Sequence, residues 1–115
     1  MDRTGYRALE DRLGLSSPLP ISPGWSATAD FLERLADYCL LHHPRLILEC
    51  GSGASTIVLA RCCQINGLGR IISLEHDAHY AESTRQALAS FGMTEHAQVI
   101  HAPLRSTALP GQTGC

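Results

Sequence analysis

Leu46-Ile47-Leu48-Glu49-Cys50-Gly51-Ser52-Gly53-Ala54-Ser55-Thr56 is the stretch on which the fold turns. Three consecutive aliphatic residues suit a strand buried on both faces, as in a parallel sheet covered by helices. An acid closes the run, Gly-Ser-Gly follows, and a mostly apolar segment continues from Ser55 to Ile65. The pattern passes from strand to helix across one tight turn, where glycine lets the backbone approach a ligand closely. Pro44 ends what precedes the unit, and Asn66-Gly67 closes its helix.

Downstream, Arg70–Glu75 predicts a second strand centred on Ile71, Ile72 and Leu74. Asp77 is placed to cap a third helix with a buried stripe of Tyr80 or Ala81, Thr84, Leu88 and Phe91, and Gly92 is its stop. Ala97–His101 predicts a third short strand. The tail 105–115 contains Pro110, Gly111 and Gly114 and reads as disordered. Upstream, Ala27–His43 is helical in pattern: Phe31, Leu35 and Cys39 recur every four residues beside Leu32 and Ala36. Ser26 is its expected N-cap, Asp30 lies near the positive helix end, and His42 and His43 lie near the negative one. Residues 1–25 read as a polar lead-in, with a short helix around Tyr6–Leu13 and a proline-interrupted loop over Ser16–Pro23. Strands recur about every 25 residues with helices between them, the rhythm of an α/β doubly wound parallel sheet.

Composition limits the function classes. The chain has 115 residues, 44% hydrophobic and 17% charged, which describes a soluble globular domain or part of one. A net charge of -2 asks for neither nucleic acid nor an anionic membrane surface. No apolar run reaches the ~20 residues of a membrane span, and the N-terminus lacks the apolar core of a signal peptide. The cysteines, Cys39, Cys50, Cys62, Cys63 and Cys115, are odd in number and contain no CxxC, unlike a disulfide framework or a zinc site. A cytoplasmic location is expected from them.

Two acids carry the functional argument. Glu49 stands at the end of an apolar strand, where an ionised carboxylate is costly without a partner. A cationic ligand supplies favourable charge there, whereas a pyrophosphate is repelled. Glu75 closes the second strand, about where a dinucleotide-type fold places the acid that accepts ribose hydroxyls. Each alone reads as a solvated strand-end carboxylate; the order and spacing of the pair point to a ligand.

With these residues in place the chain resembles the class I, Rossmann-like S-adenosylmethionine-dependent methyltransferases. Glu49-Cys50-Gly51-Ser52-Gly53 matches their acid-x-Gly-x-Gly motif, and Glu75 in Ile-Ser-Leu-Glu-His-Asp matches their second-strand acid. The likeness covers residues 26–104 and implies the cofactor-binding first three strands of an incomplete Rossmann-like sheet, with flanking helices. It implies that the turn Gly51, Ser52, Gly53 and Ser55 cradles the cofactor's amino-acid portion, with Glu49 on its ammonium side. Glu75 is implied to bind the ribose and His76 to lie alongside the adenine. Ser55 departs from the pattern, since many members carry a third glycine there.

Other readings stay open. An NAD-binding domain is the main rival within the fold, but its third glycine is due at position 56, where this chain has Thr56. A phosphate loop lacks its Gly-Lys-Ser/Thr. His76, Asp77 and His79 read as a helix cap with exposed histidines rather than a metal site. Cys62-Cys63 reads as core, and Trp25 and Ser26 as either a lid over the cofactor or an anchor for the lead-in. The resemblance implies methyl transfer to a small-molecule acceptor, with no metal assigned and no catalytic residue identified. The chain is expected to be a fragment that is inactive alone, completed by a C-terminal half or by a homodimer; the alternative is a catalytically inert remnant.

Overall fold

The structure, a computed structural model, describes residues 4–21 and 27–103. The described elements are α1 (Thr4–Leu13), α2 (Ala29–His42), β1 (Leu46–Cys50), α3 (Ala54–Asn66), β2 (Arg70–Glu75), α4 (Ala78–Phe91) and β3 (Ala97–His101). Their ends follow local chemistry. Thr28 and Asp77 cap α2 and α4 through side chains that accept from Phe31 N–H and Tyr80 N–H. Gly67 and Gly92 stop α3 and α4 in the left-handed conformation. The cap of α2 is therefore Thr28; Ser26, expected in that role, lies outside the described residues, as do Trp25, Cys115 and the tail 105–115.

The strands form a parallel sheet in the order β1-β2-β3. Leu46 pairs with Arg70 and Cys50 with Leu74, and Ile71 pairs with Ala97 and Glu75 with His101. Register therefore brings the carboxyl ends of all three strands to one edge. Side chains alternate between faces along each strand. Ile71, Ser73, Glu75, Ala97 and Val99 are buried on the face that α3 and α4 cover. The opposite face carries Leu46, Leu48, Ile72, Leu74 and Ile100, and no helix covers it among the described residues.

That sidedness corrects one expectation. The run Leu46-Ile47-Leu48 reads as buried on both sides, yet Leu46 is 55% and Leu48 68% exposed. An apolar run reports what a strand is suited to contact, and among the described residues only one face meets helices. The lead-in also departs from its polar appearance. Leu9, Leu13 and Leu19 are buried in the core, and α1 contacts both α2 and α3. Arg12 of α1 meets Glu33 at 2.5 Å and Asp37 at 2.6 Å on α2, while Arg61 of α3 donates to the Leu13 carbonyl at 2.6 Å.

Between α2 and α3 sit three free, buried thiols, Cys39, Cys62 and Cys63. Burial pushes Cys62 and Cys63 up to about 12, so they pack as small hydrophobes and are poor nucleophiles. Cys50 lies exposed at the end of β1. Among the described residues no helix is long and apolar enough to cross a membrane, and no group of three His, Cys, Asp or Glu could hold a metal.

Candidate functional site

The turn leaving β1 is fixed to β2. Gly51 N–H donates to the Leu74 carbonyl at 2.7 Å, and the Ser73 hydroxyl donates to the Gly51 carbonyl at 3.0 Å. Gly51 has φ 92° and Gly53 φ 145°, torsions that L side chains resist. A Cβ added to either would meet nothing within 4 Å. Glycine is needed here for torsion rather than for room, and the space above the turn is open.

Two acids flank that turn from the same face of adjacent strands. Glu49, half-buried, accepts from the Ser55 hydroxyl at 2.9 Å and from the Thr56 hydroxyl. Thr56 in turn accepts from Gly53 N–H at 3.2 Å, so one buried hydroxyl serves both turn and acid. Burial pushes Glu49 above the ordinary carboxylate range, the hydroxyls of Thr56, Ser55 and Ser73 oppose that, and the charge of Glu75 adds to it.

Glu75 is 4% exposed and lies in the opposite electrostatic condition. One of its oxygens, Oε1, accepts from Ser52 N–H at 2.8 Å and from the Ser52 hydroxyl at 2.7 Å. The other, Oε2, accepts from Asp77 N–H at 3.2 Å, with His76 Nδ1 at 3.5 Å. Burial alone would raise this acid, but the donors from Ser52 and Asp77 outweigh burial and hold it below the usual range. Glu75 is therefore ionised at neutral pH.

A cleft of about 300 Å³ opens beside Glu75, lined by Ser52, Glu75, His76, Asp77 and Tyr80. The His76 side chain is 57% exposed. Asp77 is kept low chiefly by Tyr80 N–H, the bond that caps α4. Of the residues predicted for the site, Ser52, Glu75 and His76 thus share one cleft. Glu49 and Ser55 pair with each other on the α3 side of the turn, and Gly51 and Gly53 form the turn between the two groups. A larger cleft of about 550 Å³ runs between α1 and the loop after it, past Arg7, Asp11 and Ser16, and holds none of the predicted residues.

Thr56, Thr84, Asp77 and Tyr80 join the site without having been predicted there. Thr84 of α4 lies 2.9 Å, oxygen to oxygen, from the Ser52 hydroxyl and is 4% exposed. A buried hydroxyl needs a partner, but a threonine in an otherwise apolar stripe gives no sign in the sequence of which one.

Residues 48–114 match the family described as the methyltransferase domain. Among solved structures, the chain is similar to a cofactor-bound protein, Rv0187 from MTB, at 28% identity and TM-score 0.62 over 85% of this chain and 42% of that one. A second is an O-methyltransferase, so described provisionally, from Klebsiella pneumoniae, at 31% identity and TM-score 0.61 over 90% and 44%. A third, the O-methyltransferase from Bacillus cereus in complex with SAH, shares 22% identity and a TM-score of 0.60 over 88% and 44%, a likeness of fold. The chain spans less than half the length of each of these proteins. A comparison with curated protein sequences returns no match.

Proposed function

The chain belongs to the methyltransferase domain family, and from that premise we propose that it supplies the S-adenosylmethionine-binding half of an enzyme that methylates a small molecule. The observation that carries this reading is the pair of strand-end acids flanking an open glycine turn. The donor set suits such a cofactor. Glu49 is surrounded by hydroxyls and by a second acid, a setting that favours an arriving ammonium group. The open space over Gly51 and Gly53 admits the amino-acid portion close to the backbone. Glu75, ionised and at the wall of the cleft, accepts hydrogen bonds from ribose hydroxyls, while His76 borders the adenine.

The cofactor's contribution is an electrophilic methyl group on sulfur, open to in-line displacement. The residues of this chain bind and orient; positioning two reactants is much of what such a reaction needs. Glu49 and Glu75 give the site an acidic character, which favours a cationic ligand over the pyrophosphate of NAD. Thr56, where NAD-binding needs its third glycine, is buried beneath Glu49 instead. No residue is assigned to the acceptor or to proton transfer. The neighbour from Klebsiella pneumoniae supports oxygen as the acceptor atom. The free, buried thiols Cys39, Cys62 and Cys63 support a cytoplasmic location.

Ultraviolet cross-linking with methyl-labelled S-adenosylmethionine tests the placement. Label is expected on peptides spanning residues 46–56 and 70–80, and competition by unlabelled S-adenosylhomocysteine should remove it. Label confined to the α1 cleft would contradict the reading.

A further inference from the structure

Resting on that cofactor reading, we infer that Thr84 is a positioning residue whose hydroxyl, acting through Ser52, holds Glu75 ready for the ribose. The hydrogen-bond order follows from the chemistry of the groups. An ionised carboxylate only accepts, so the single hydroxyl proton of Ser52 is committed to Glu75 Oε1. The 2.9 Å contact between Ser52 and Thr84 therefore has Thr84 as its donor. Protons are aligned from Thr84 to Ser52 to Glu75.

This relay fixes which carboxylate oxygen is available. Oε1 receives two donors from Ser52, whereas Oε2 receives one hydrogen bond, from Asp77 N–H, with His76 Nδ1 3.5 Å away, and is the oxygen with room to accept from a ribose hydroxyl. The same Ser52 lies within the glycine turn, so hydrogen bonds join the turn and the ribose acid into one unit. Thr84 braces that unit from the body of α4, between buried Ala81 and Leu88. Valine would fill the same volume without the cost of burying a hydroxyl; threonine at this place makes sense as a donor.

The test is a titration of the 115-residue chain and its variants with two ligands: S-adenosylhomocysteine and its analogue lacking the 2′ and 3′ ribose hydroxyls. Thr84→Val should weaken the first ligand about tenfold, the scale of losing one ribose hydrogen bond to the Glu75 carboxylate. The same substitution should change the analogue by less than about twofold, because the contact that Thr84 prepares is then absent. Thr84→Ser should restore the parent value for both. Far-UV circular dichroism checks folding, and Thr84→Ala replaces the valine variant if that one unfolds. Equal losses on both ligands would assign Thr84 a merely structural role and overturn the inference. An unchanged affinity for S-adenosylhomocysteine would overturn it too, with the cofactor site left standing. A folded parent chain that binds neither ligand would remove the cofactor reading and this inference together.

Discussion

Glu49 and Glu75 project from the same face of adjacent parallel strands, and their protonation equilibria are displaced in opposite directions. Burial raises both acids; at Glu49 it prevails and the charge of Glu75 adds to it, whereas at Glu75 it is outweighed by the donors and by His76 nearby. Glu49 meets side-chain hydroxyls whose help does not offset its burial. Glu75 takes backbone N–H groups from Ser52 and Asp77 as well as a hydroxyl, and these outweigh burial. One acid thus carries its charge at the cost of stability, and the other draws stability from it.

Glu49→Gln is therefore expected to raise the melting temperature at neutral pH. A carboxyl raised in the folded state holds its proton more tightly there than in the unfolded chain. Its contribution is full below the ordinary carboxylate range and is lost as pH rises through the raised value. The gain from glutamine should accordingly shrink to nothing in acid. Thermal unfolding of both chains from pH 4 to pH 8 checks this, and a gain that grows toward acid would contradict it.

Glu75→Gln should do the reverse. A depressed carboxyl contributes its stability above the ordinary range and loses it as pH falls through the depressed value. The buried, multiply bonded anion makes the loss roughly 1.5–3 kcal/mol at neutral pH, the scale for hydrogen bonds to charged groups. Urea unfolding at neutral pH measures the loss, and repetition near pH 3 should find it much reduced.

The one-sided sheet predicts a contrast between two aliphatic residues. Leu48 is 68% exposed and Ile71 is fully buried. Leu48→Ser should change stability by no more than about 0.5 kcal/mol. Ile71→Ala should cost about 2–5 kcal/mol through lost contact and cavity formation. Chemical denaturation of both variants decides it; a large cost at Leu48 would mean that the outer face is covered.

Much of this architecture was legible in the residues. The strands, the glycine turn, the Asp77 cap and the Gly67 and Gly92 stops are local features, and local chemistry settles them. Two things were not local. The exposure of Leu46 and Leu48 depends on which face the helices choose, and a run of aliphatic residues reads identically whether one face is covered or two. The docking of α1 depends on Arg12, Arg61 and Tyr6 reaching partners far along the chain: Tyr6 donates to the Ala27 carbonyl at 2.9 Å. In the site, the acids and glycines announced themselves by spacing. Thr56 and Thr84 did not, because a buried threonine in an apolar stripe passes for packing until its hydroxyl is seen to have a partner.

The most direct measurement is isothermal titration of the folded chain with S-adenosylhomocysteine, with NAD as the control ligand and Glu75→Ala alongside. Saturable binding of S-adenosylhomocysteine alone, weakened at least about tenfold by the substitution, is the predicted result. Binding of NAD in its place, or no binding by a chain that circular dichroism shows to be folded, would contradict the assignment of a cofactor site to Glu49, the glycine turn and Glu75.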